Sequence, residues 1–107
     1  MSKIDRNAFG LTDRDMNTLR DILSKYPAVQ KICVFGSRAK GIYKPGSDID
    51  LAVMNDGVTE SDISRMQSDF ADSSLPYRVD LINYPTLKHP ELKNHIDRVG
   101  VPIYQKK

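Results

Sequence analysis

Residues 34–53, Val34-Phe-Gly-Ser-Arg-Ala-Lys-Gly-Ile-Tyr-Lys-Pro-Gly-Ser-Asp-Ile-Asp-Leu-Ala-Val53, decide how this chain is read. An apolar run ending in Gly36-Ser37 has the form of a buried strand turning sharply into the first turn of a helix, where free backbone N–H groups face outward. Such a terminus attracts phosphate. Farther on, Asp48 and Asp50 alternate with Ile49, Leu51 and Val53. That period of two sets both carboxylates on one face of a strand and the aliphatic side chains on the other. Two like charges so close repel one another, and the pattern makes sense if a divalent cation sits between them. Carboxylate oxygens suit Mg²⁺, which completes its shell with substrate phosphates.

Outward from this stretch the grammar is regular. On the N-terminal side, Thr12 caps a helix with Asp15 as its capping-box partner, and Leu11 and Met16 occupy the staple positions. Met16, Leu19, Ile22, Leu23 and Tyr26 form its apolar face, and Pro27 stops it. Residues 30–35 then make a strand with the nearly continuous apolar character of a central position. A short helical turn over 38–41 follows, then a loop over 42–47, marked by Pro45-Gly46 as a turn and expected to settle only when substrate binds.

The second strand spans 48–54 and closes at Asn55-Asp56-Gly57. Thr59 caps the next helix with Asp62 as box partner and Val58 and Ile63 as staple; Ile63, Met66 and Phe70 are its buried stripe, and Asp72-Ser73-Ser74 ends it. Residues 77–84 form a third strand, placing Asp80 on the face opposite Val79 and Leu81. Pro85 ends that strand. A last helix over 91–99 carries Leu92, Ile96 and Val99 and stops at Gly100, and Val101-Pro102-Ile103-Tyr104 reads as an edge strand, where proline is tolerated. Lys106-Lys107 reads as a frayed end.

This order predicts an α/β (α+β) fold: one domain over 1–107, a mixed β-sheet covered by helices. At 107 residues a second substrate-binding domain does not fit. No apolar run approaches the roughly 20 residues that span a bilayer, and the first residues lack the apolar core of a signal peptide, so a cytoplasmic location is the default expectation. The formal net charge of +2 is too small to argue for nucleic-acid binding by field alone. A single Cys33 inside an apolar run excludes an intrachain disulfide and reads as a buried, inert thiol.

Gly36-Ser37, ten residues, then Asp48-Ile49-Asp50 resembles the active-site motif of the polymerase-β-like nucleotidyltransferase superfamily, and the short chain resembles its minimal (MNT) branch. That superfamily uses a third carboxylate on a neighbouring strand, which the resemblance assigns to Asp80. It implies transfer of a nucleoside monophosphate, AMP from ATP, to an acceptor hydroxyl with release of pyrophosphate. Asp48, Asp50 and Asp80 would be both catalytic residues and ligands of two Mg²⁺ ions about 3.5–4 Å apart. Gly36, Ser37 and Ser47 would hold the nucleotide, with Arg38 and Lys40 adding positive charge along the triphosphate.

Minimal nucleotidyltransferases commonly act beside a small helical HEPN-type partner, so the resemblance implies an antitoxin that modifies its toxin. A noncatalytic module that neutralises its partner by occlusion is the alternative. Transfer to a small molecule such as an aminoglycoside is disfavoured, since those enzymes carry an additional acceptor-binding domain.

Taken alone, an Asp-x-Asp in a strand reads as the solvent-facing side of an edge strand; joined to Gly36-Ser37 and Asp80 it reads as a metal site. Rival motifs fail. Residues 36–41 have P-loop glycines, but Ile42-Tyr43 stands where Lys-Ser/Thr is required. The Asp48 segment lacks the ligand series of an EF-hand loop. His89 and His95 lack zinc spacing and read as surface residues, while Tyr43, Tyr77, Tyr84 and Tyr104 read as packing residues.

Overall fold

The structure, a computed structural model, describes residue 7, residues 9–42, residue 44 and residues 46–106. Readings placed on residues 1–6, Tyr43, Pro45 and Lys107 lie outside the described residues. In chain order the elements are α1 (Asp13–Leu23), β1 (Lys31–Phe35), α2 (Gly36–Lys40), β2 (Ile49–Val53), α3 (Glu60–Ala71), β3 (Val79–Asn83), a 3₁₀ turn (Tyr84–Thr86), α4 (Pro90–Val99) and β4 (Val101–Gln105).

The strands form one four-stranded sheet in the order β3-β2-β1-β4. β1 runs antiparallel to both β2 and β4, and β2 runs parallel to β3, so the sheet is mixed. A parallel pair needs a crossover, and α3 supplies it. Period-two alternation sorts the side chains onto two faces. Ile32, Val34, Ile49, Leu51, Val53, Val79 and Leu81 join Leu19, Leu23, Met66 and Phe70 in the larger core, under α1 and α3. On the reverse face Phe35, Ala52 and Ile96 make a smaller core with Ile82, Leu92 and Val99, under α4. Asp50 and Asp80 alternate onto this second face, beside α2.

Local signals act as expected at the helix starts. Thr12 Oγ1 accepts from Asp15 N–H at 3.1 Å while Asp15 Oδ2 accepts from Thr12 N–H at 3.1 Å, a complete capping box. At α3 only half of the box forms: Thr59 Oγ1 accepts from Asp62 N–H at 3.0 Å. α1 ends at Leu23, earlier than Pro27 requires, because Lys25 N–H and Tyr26 N–H tighten onto Ile22 O and Leu23 O.

Gly100 stands just past the end of α4, where the sequence places it; its backbone is extended, with φ and ψ of −63° and 134°, and its N–H donates to Ile96 O at 2.8 Å. It is glycine because a Cβ there would press into Ile96 O at 2.6 Å. His89 is exposed, as the sequence suggests, and His95 is half-buried. His89 Nδ1 accepts from Leu92 N–H at 3.0 Å and caps α4, and the half-buried His95 ring meets Phe35 edge-on with centroids 6.2 Å apart.

Candidate active site

The end of β1, the start of β2 and the start of β3 meet at one edge of the second face. There β2 is an interior strand, flanked by β1 and β3, so Asp50 is not on the wet side of a sheet edge. The register sets Asp50 opposite Phe35 on one side and opposite Asp80 on the other. Asp48 lies one residue before β2 and is exposed, Asp50 is half-buried, and Asp80 is exposed on the edge strand β3.

Burial pushes the Asp50 carboxyl above the ordinary carboxylate range, and the Asp80 and Asp48 charges push it further; the Arg38 guanidinium pulls it back. Among the described residues no group of three or more His, Cys, Asp or Glu side chains is drawn tightly around a common point. The donor chemistry is nonetheless that of a hard divalent cation: carboxylate oxygens without thiol or imidazole, one of them held in a costly charged state that a cation would relieve.

Gly36 opens the cradle beside this carboxylate. Its φ of +77° lies in the left-handed region that L side chains avoid, and an added Cβ would stand 3.3 Å from Asp50 Cγ and overlap Asp50 Oδ2. Backbone and carboxylate therefore approach as closely as only glycine permits. Ser37 follows in the first turn of α2, half-buried, while Lys40 is exposed at its end.

Arg38 departs from its expected place along a triphosphate. It is 2% exposed, the largest of the fully buried side chains. Its Nε and Nη2 donate to Ser47 O at 3.1 and 2.7 Å, and Nη1 donates to Phe9 O at 2.8 Å. The guanidinium also lies over the Tyr77 ring, 4.3 Å from its centroid. Ser47 is likewise engaged at home: its hydroxyl accepts from Lys44 N–H at 2.9 Å and donates to Lys44 O at 2.7 Å, closing the loop that leads into Asp48. Phe9 and Tyr77 had no sequence signal linking them to this place; both meet Arg38 across long stretches of chain.

Comparisons with known proteins give the fold and the lineage. A family model described as "Polymerase beta, Nucleotidyltransferase" matches residues 17–107. The chain is 30% identical over 97 residues to a Haemophilus influenzae protein named "Probable protein adenylyltransferase MntA", covering 90% of this chain and 84% of that protein. A crystal structure of a toxin-antitoxin with AMP-PNP superposes with a TM-score of 0.71 at 24% identity, covering 87% of this chain and 75% of that one. So does a tri-AMPylated Shewanella oneidensis HEPN toxin in complex with MNT antitoxin, with a TM-score of 0.63 at 22% identity, covering 85% and 70%. The solved structures share the fold; the family model and the H. influenzae relative carry the lineage, and the chain belongs to the polymerase β nucleotidyltransferase family.

Proposed function

We propose that this chain is a protein adenylyltransferase: it moves AMP from ATP to a hydroxyl of a small helical HEPN-type toxin and acts as that toxin's antitoxin. The observation that carries the reading is the register of β2 and β3, which sets Asp50 directly opposite Asp80, with the Asp50 carboxylate close against the backbone of Gly36. The names of the H. influenzae relative and of the S. oneidensis complex support AMP as the group and a HEPN toxin as the acceptor. We place the pair in the cytoplasm, where ATP is supplied; among the described residues no helix is long and apolar enough to cross a membrane.

Nucleotidyltransferases of this family use ATP and a divalent metal. Two Mg²⁺ ions, when bound, supply charge neutralisation on the triphosphate and acidify the attacking hydroxyl. Asp48 and Asp50 would hold both ions, and Asp80 the one nearer the acceptor. Ser37 and the first N–H groups of α2 bind the terminal phosphates, with Gly36 keeping that approach free of a side chain. Exposed on an edge strand, Asp80 faces the acceptor side and takes the hydroxyl proton. A bond forms from the acceptor oxygen to the α-phosphorus, the α–β phosphoanhydride bond breaks, and pyrophosphate leaves.

Incubation with the toxin partner, Mg²⁺ and ATP labelled at the α-phosphate should label the partner, whereas γ-labelled ATP should not. Asp80→Asn should lower labelling by more than about 100-fold, since even outer-shell partners of metal ligands cost 10- to 100-fold. Unchanged labelling in Asp80→Asn overturns the role given to Asp80, and neutralisation of the toxin by Asp48→Asn with Asp50→Asn as complete as by the parent chain overturns the reading in favour of occlusion.

A further inference from the structure

We infer that Arg38 is a positioning residue for nucleotidyl transfer: it holds the segments carrying the cradle and the carboxylates in register and does not bind the nucleotide. The inference rests on the adenylyl-transfer reading and adds to it a residue that acts through others. Burying a guanidinium is unfavourable unless its charge and donors are satisfied. Here all three kinds of its nitrogen donate to backbone carbonyls, and its flat face covers Tyr77.

What those partners are gives the inference its content. The Ser47 carbonyl shares a rigid peptide plane with the Asp48 nitrogen, so two donors on that oxygen fix the plane from which Asp48 springs and from which β2 begins. Tyr77 stands three residues before Asp80, at the entry to β3. Arg38 itself follows Gly36 by two residues on α2. One side chain thus ties the phosphate cradle, the Asp48–Asp50 segment and the approach to Asp80 to a common reference. The Phe9 carbonyl adds the segment before α1 as a fourth anchor. A lysine cannot reproduce this, because an ammonium has no planar fork to straddle one carbonyl, reach a second and stack on a ring. An arginine serving the triphosphate would turn that fork outward instead.

The test uses Arg38→Lys and Tyr77→Leu in the full chain, with α-labelled ATP, Mg²⁺ and the toxin partner. A displacement on the order of 1 Å at a reacting centre costs up to about 100-fold. Expected for Arg38→Lys is a kcat lower by about 10- to 100-fold, KM for ATP within about twofold, and a higher Mg²⁺ requirement. Tyr77→Leu keeps the charge but removes the stacking face and should move kcat and Mg²⁺ requirement the same way, by less. Parental kcat in Arg38→Lys overturns the inference, as does a KM rise that accounts for the whole loss, since a phosphate contact would act on binding. Should Arg38→Lys fail to fold, parental kcat in Tyr77→Leu overturns it. If the parent chain labels no partner, adenylyl transfer has failed. Calorimetric Mg²⁺ titration then decides on Arg38 separately, and equal affinity in parent and Tyr77→Leu overturns the positioning role.

Discussion

At the scale of single residues, Gly36 and Asp50 are one unit. Gly36→Ala meets two costs at once: a left-handed φ, about 1–2 kcal/mol for a residue with a Cβ, and displacement of the Asp50 carboxylate. Denaturant unfolding should show at least that loss, and labelling of the partner should fall even at temperatures where the variant is folded. Asp50→Asn should do the opposite to stability. It removes a charge disfavoured by burial and by Asp80 and Asp48, an effect that partial solvent exposure screens. At neutral pH without metal its melting temperature should rise by a few degrees while labelling is lost, and added Mg²⁺ should raise the parent's melting temperature but not the variant's. A variant that melts lower than the parent would show that Asp50 is structural. Both residues were legible in the sequence, because close backbone approach and paired carboxylates demand particular residue types. Arg38 is different: its charge is written in the sequence, but whether a long side chain turns outward or inward depends on what stands opposite, here Ser47 O, Phe9 O and Tyr77.

Among the elements, β3 is the most exposed to error, since an edge strand offers unpaired backbone groups to any passing strand. Gln67 on α3 covers this edge: its Nε2 donates to Val79 O, and its Oε1 accepts from Leu81 N–H at 3.0 Å, imitating a neighbouring strand with one amide. Gln67→Ala should cost about 1–3 kcal/mol, the penalty for leaving part-buried backbone groups without partners, and should raise the tendency to self-associate. Chemical denaturation and light scattering measure the two effects; a variant as stable and as monodisperse as the parent would show that water replaces the amide without loss. The remaining elements were readable from caps and periodicity. Capping boxes and alternation act over three or four residues, so the sequence alone signals them. The 3₁₀ turn at Tyr84–Thr86 and the irregular pairing between Ile32/Cys33 and Tyr104/Pro102 carried no such cap or alternation.

For the molecule as a whole, α1 and α3 are joined over the larger core by Tyr26, whose hydroxyl donates to Asp69 at 2.5 Å. Burial, then this bond to an anion, pushes the phenol up from 10.0 to about 12. The folded chain thus holds this proton more tightly than the unfolded chain does. The stability it contributes is complete below about pH 10 and is lost as pH rises toward 12. The stability difference between the parent and Tyr26→Phe should therefore shrink over that interval in denaturant titrations; a constant difference would place the phenol at its ordinary value. The same division of labour runs through the chain. Its residues alone determined the helix starts, the two-faced strands, the glycine where β1 turns into α2 and the paired acids, because each depends on chemistry within a few positions. Only the tertiary structure decided that β3 lies parallel to β2 with Asp80 opposite Asp50, that Arg38 points inward and that Gly100 is extended. Strand register, the pairing of distant carbonyls with one guanidinium and the clearance beneath a helix end are set by surfaces brought together from far along the chain, and no local pattern encodes which surfaces meet.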